Sequence, residues 1–196
     1  DPQQRNIHAA LPYYLAALDW WAGSDDLPTA RRRYLSIVFR MADTDQPHYD
    51  YRYYGAMQSI PRQVLVNTVA IAQSKEDQAR AKYLLASNLL SAGTPADVDR
   101  GLELLDEVIG AGPASVYDDA LFTAAQRLSQ QGRAVVLDDG RTIFQPDFQK
   151  ALALFRRITR EFSKGQTRHY EPAAAAIEAI VAPSVTLMVE GTFLPR

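Results

Sequence analysis

Two stretches of this chain carry one pattern. Tyr83, Ala86, Leu89 and Gly93 match Phe122, Ala125, Leu128 and Gly132 at a constant offset of 39 residues. Further on, Asp97, Val98, Gly101, Leu102, Leu104, Leu105 and Val108 match Asp147, Phe148, Ala151, Leu152, Leu154, Phe155 and Ile158 at an offset of 50, so the second copy holds an eleven-residue insertion. Apolar residues three and four apart, broken by glycine and proline, mark pairs of helices in each copy. A helix pair repeated at this length belongs to a helical array, in which each unit buries its apolar face on the next.

The helices can be placed from their start and stop signals. In the first unit they run from about 75 to 92 and from 96 to 109, with Ser74 as a cap and Glu76 and Asp77 in the first turn, where negative charge suits the helix dipole. In the second they run from 115 to 131 and from 147 to 163. The insertion, Ala134 to Phe144, places Asp139-Gly140 between two β-branched runs, which is a hairpin signal. Upstream, helical spacing recurs over 6–22, over a segment opening at Pro28-Thr29, and over 62–73. Downstream, a helix over 169–181 stops before Pro183. Val185, Leu187 and Val189 then alternate with Thr186, Met188 and Glu190, which reads as a strand over 184–196. A lone strand needs a partner for its backbone, and the expected partner is the hairpin or a sheet in sequence beyond Arg196.

The expected architecture is therefore all-α. A helical-repeat domain spans 1–183, with 74–163 as its clearest repeat pair, one inserted hairpin at 134–144 and a C-terminal strand over 184–196 that would open a truncated β-sandwich domain.

Chemistry has little foothold in this sequence. With 196 residues, a net charge of −2 and a longest basic run of Arg31-Arg32-Arg33, nothing points to nucleic acid as partner. Three charges on successive helical positions point three ways, as on a solvated surface. The chain has no cysteine, so disulfides and thiolate catalysis are excluded. No apolar run is long enough for an integral membrane segment. The start at Asp1, without Met or a leader, suggests an excised piece.

His8, His48 and His169 fall in different elements and form no metal-ligand pattern. Asp118 and Asp119 would suit paired acid and base chemistry, but they stand near a helix start, where free amides and the dipole account for them. Asp138 and Asp139 lack the ligand spacing of a calcium loop. Neither a glycine-rich phosphate loop nor a nucleophile elbow is present. No catalytic residue, cofactor site or metal site is assigned.

The one candidate contact surface is aromatic. Tyr49, Tyr51, Arg52, Tyr53 and Tyr54 form the densest aromatic segment and would stack on a sugar, a peptide or a single strand, since tyrosine joins a flat apolar ring to a polar tip. At helical spacing the same residues also serve as packing, with Tyr49 and Tyr53 against a neighbour and Tyr51 and Tyr54 partly exposed.

Ala125, Ala151, Phe155 and Ile158 resemble the small and large packing positions of a tetratricopeptide repeat, with Ser163 where that family has proline. The likeness concerns packing and implies a fold, not a mechanism. A second likeness covers about the last 80 residues. Tyr117-Asp118-Asp119-Ala120-Leu121, Ala151 to Phe155, Glu161-Phe162-Ser163, Ala179 to Leu187 and Phe193-Leu194-Pro195 resemble the helical region ahead of a macroglobulin-like domain in bacterial alpha-macroglobulins. That resemblance implies a non-enzymatic scaffold within an envelope-associated or periplasmic protease trap. Its partner would be a protein, either a neighbouring domain or a peptide. The competing expectation is a carbohydrate- or peptidoglycan-associated module that uses the 49–54 segment.

Overall fold

The computed structural model describes residues 13, 15, 16, 23, 25–42 and 60–192, with side chains as far as 182. It is mostly helical, with one two-stranded antiparallel sheet. The chain divides into two compact units, Asp1–Asn88 and Leu89–Arg196.

In the first unit, Tyr13, Leu15 and Ala16 are helical, and the rest of the helix expected over 6–22 lies outside the described residues. Helix α1 (Leu27–Ala42) opens at Pro28, whose missing amide costs nothing in a first turn. It buries Ala30, Tyr34, Leu35, Val38 and Phe39, the stripe its spacing calls for. Helix α2 (Arg62–Ile71) meets it through the Val64 carbonyl, which accepts from the hydroxyls of Tyr34 at 3.3 Å and Thr68 at 2.6 Å. Helix α3 (Lys75–Ala92) starts on Ser74, whose hydroxyl accepts from the Asp77 amide at 3.0 Å and donates to the Asp77 carboxylate at 2.7 Å. Its Arg80 lies 4.5 Å from the centre of the Phe39 ring.

The second unit takes up the end of α3 and continues with α4 (Pro95–Ala111), α5 (Tyr117–Gln130), strands β1 (Arg133–Val136) and β2 (Thr142–Gln145), α6 (Phe148–Glu161) and α7 (Tyr170–Thr192). Thr94 caps α4 by accepting from the Asp97 amide, and Asp147 caps α6 by accepting from the Lys150 amide at 2.9 Å. Helix packing follows chain order, α4 on α5, α5 on α6 and α6 on α7. At the centre Leu105, Leu121, Ala125, Leu128, Ala151 and Ile158 are wholly buried.

The hairpin forms where expected, with Val136 opposite Thr142 and Arg133 opposite Gln145. Its turn closes with the Gly140 amide on the Leu137 carbonyl at 2.9 Å and the Leu137 amide on Arg141 at 2.8 Å. Gly140, at φ 81, takes the left-handed position, so the loop is a turn followed by a glycine bulge. β1 packs against α4, and the Asp147 amide donates to the Leu128 carbonyl at 2.9 Å, which returns the chain to α5 after the excursion.

Two expectations are corrected here. Helix α7 does not stop before Pro183 but runs from Tyr170 through Thr192, so the strand expected over 184–196 is helix as far as Thr192, and 193–196 lie outside the described residues. Val185, Leu187 and Val189 alternate as a strand would, but with Met188 between them they equally continue a helix, and Pro183 does not end the one that starts at Tyr170. The proposed pairing of that strand with the hairpin goes with it, because β1 and β2 pair with each other in a two-stranded sheet.

Candidate functional site

The expected contact residues Tyr49, Tyr51, Arg52, Tyr53 and Tyr54 lie outside the described residues. Elsewhere, among the described residues, charged and polar side chains gather where the 162–169 segment between α6 and α7 crosses the start of α5.

Two adjacent carboxylates hold that segment. Asp118 accepts from the Thr167 hydroxyl. Asp119 Oδ1 lies 2.6 Å from His169 Nε2 and 2.8 Å from Arg168 Nη2. Both carboxylates stand in the first turn of α5, as expected, and they also bond side chains 49 and 50 residues away. The Thr167 oxygen also accepts from the His169 amide at 3.1 Å, which shapes the turn into α7.

The imidazole is stacked on Phe122, with centroids 4.4 Å apart and planes 16° from parallel, and Phe122 meets Phe155 edge-on. The side chains of His169 and Asp119 are only 13% and 19% exposed, so their bond is shielded from competing water. Nε2 cannot both donate to Asp119 and accept from Arg168 Nε; the approaches of 2.6 and 3.3 Å place the proton on the Asp119 side. The hydrogen bond from His169 holds the Asp119 carboxyl below its ordinary range against the opposing effect of burial, and Arg168 adds to the lowering.

A second polar group flanks it. The Tyr117 hydroxyl donates to Glu161 at 2.7 Å, Arg157 Nε donates to the same carboxylate at 3.0 Å, and Arg157 also donates to the Tyr117 oxygen. Burial, then the Glu161 hydrogen bond, pushes the Tyr117 hydroxyl above its ordinary value. Burial works to raise Glu161 as well, but the bonds from Tyr117 and Arg157 outweigh it and hold this carboxyl low. Separately, Asp106 of α4 receives Arg133 of β1 at 3.3 Å and Lys150 of α6 at 2.8 Å, tying residues on both sides of the insertion to one helix.

Chemically, this is a latch. The Asp119–His169 pair has the form of a base and its orienting carboxylate, yet the hydroxyl of Thr167, two residues before His169, donates to Asp118. Among the described residues no group of three or more His, Asp or Glu side chains is placed to hold a metal ion. Nor, among those residues, is any helix long and apolar enough to cross a membrane. No protein-family model, curated protein or solved structure matches the chain.

Proposed function

We propose that the chain is a non-enzymatic helical-repeat scaffold, tetratricopeptide-like in its packing, that engages another protein through the inserted hairpin and the start of α6. The observation that carries this reading is apolar surface left in water on the hairpin and at the start of α6: Val136 is 69% exposed, Phe148 54% and Ile143 43%. By register Val136 shares one face of the hairpin with Phe144, itself 38% exposed, and Ile143 lies on the other, so both faces carry the exposed apolar side chains that mark an interaction surface.

The repeat itself draws support from matched positions. Gly93 and Gly132 both take positive φ, at 74° and 78°, as helix-ending glycines. Ala86 and Ala125, Leu89 and Leu128, Leu105 and Phe155, and Val108 and Ile158 are all buried. Val98, at 0% exposed, and its counterpart Phe148, at 54%, part company at the insertion. The narrower reading, a scaffold region of an envelope-associated alpha-macroglobulin, rests on the sequence resemblance alone, and the helix through Thr192 removes the strand that would have begun a β-sandwich at Ser184.

Site-specific photo-crosslinking in cells tests the proposal. A crosslinker at Ile143 is expected to trap a defined protein partner that a crosslinker at exposed Glu103 of α4 does not trap. Equal yields at the two positions overturn the reading.

A further inference from the structure

Helix α1 carries four arginines and no acidic residue in its sixteen positions. The turn of the helix sorts them. Arg31 points away from the other three, while Arg32, Arg33 and Arg40 share an arc of about 100° with Ser36 between them. Arg32, Arg33, Ser36 and Arg40 are all exposed, opposite the buried face of Tyr34, Leu35, Val38 and Phe39. Arg32 also donates to the Thr29 hydroxyl at 3.4 Å, which leans it along the same face. Among the described residues no carboxylate forms an ion pair with any of the three.

From this arrangement we infer that the outer face of α1 is a docking stripe for an acidic protein segment. Charge complementarity selects the sign of the partner, and guanidinium groups select planar oxyanions, which they bind through paired N–H donors. Length then selects among anions. From Arg32 to Arg40 the stripe spans about 12 Å, the reach of about four residues of extended chain or two turns of helix. That suits a few carboxylates, whereas nucleic acid and anionic membranes gain affinity from many phosphates contacted at once. The apolar face of α1 is committed to its own core, so it is not free to enter a bilayer. The inference stands on α1 alone and is independent of the surface proposed on the hairpin.

Binding of fluorescent poly-L-glutamate to the full chain at low salt tests it, alongside duplex DNA and phosphatidylglycerol vesicles at equal charge concentration. The expected result is saturable binding to poly-L-glutamate that weakens at least tenfold in Arg32→Gln/Arg33→Gln/Arg40→Gln, with an unchanged melting temperature. Ser36→Glu, which sets a negative charge like the ligand's own amid the stripe and leaves every arginine in place, is expected to weaken it several-fold. The inference is overturned if the wild-type chain does not bind the polypeptide, if neither variant weakens binding, or if DNA or vesicles bind more tightly than poly-L-glutamate.

Discussion

Asp119 Oδ1 meets His169 Nε2 at 2.6 Å across 50 residues of sequence, joining the first turn of α5 to the residue before α7. This bond, the Arg168 bond to the same carboxylate and the Thr167 bond to Asp118 fix where α7 leaves the packed helices. Removing either partner strands the other in a half-buried setting. Asp119→Asn and His169→Ala are each expected to cost about 1–3 kcal/mol in urea unfolding. The double variant is expected to cost less than the sum by at least about 0.5 kcal/mol, the signature of direct coupling. Additive losses would show that the pair is not a functional latch.

Acid should loosen the same region. Asp119 and Glu161 both have carboxyl pKa values lowered from their ordinary 3.8 and 4.5, so the unfolded chain binds protons more readily than the folded one. Their contribution is therefore complete above those ordinary values and is lost as pH falls through the lower folded ones. Thermal melting between pH 6 and 2 is expected to show a decline beginning below about pH 5, and Asp119→Asn is expected to flatten it. At the alkaline end the sign reverses. Tyr117 is raised from 10.0, so its contribution is present below pH 10 and lost as pH climbs through the folded value. Tyr117→Phe is expected to reduce that alkaline decline, leaving the part due to Tyr34, which burial also raises.

Much of the helical framework was readable because its punctuation is local. Ser74 acts as the expected cap, Thr94 and Asp147 cap at the expected helix boundaries, and Gly93 and Gly132 end helices, all from signals a few residues long. The hairpin was readable for the same reason, through Asp139-Gly140. What failed was a choice between two structures compatible with the same residues. Val185, Leu187 and Val189 suit a strand by alternation, yet with Met188 between them they equally suit a helix already running from Tyr170. The latch was not readable at all, since Asp119 and His169 are brought together by tertiary packing alone. The signal that pointed nearest was the Asp118-Asp119 doublet, which local dipole arguments absorbed.

Gly132 is the backbone position on which the insertion depends. At φ 78 a Cβ there would stand 1.7 Å from the Gln145 carbonyl oxygen, so backbone would have to move. Gly140 shares the left-handed conformation, at φ 81, but a Cβ on it meets nothing within 4 Å. Gly140→Ala is expected to cost only the conformational penalty of about 1–2 kcal/mol. Gly132→Ala is expected to cost more and to unpin the hairpin, exposing the 133–145 segment to limited proteolysis. Equal protease resistance in the two variants would show that β2 does not need its close approach to the end of α5.

Phe148 and Ile158 sit on one helix, α6, and test whether burial or surface contact governs each. Ile158 is wholly buried among the helices of the second unit, so Ile158→Ala removes core volume and is expected to cost about 2–5 kcal/mol. Phe148 is 54% exposed at the first turn beside the hairpin, so Phe148→Ser is expected to shift stability by no more than about 0.5 kcal/mol. Partner crosslinking from Ile143 should respond in the opposite order, falling with Phe148→Ser while the protein stays folded. A large loss of melting temperature in Phe148→Ser would instead place this ring in the packing of α6 and remove it from the interaction surface.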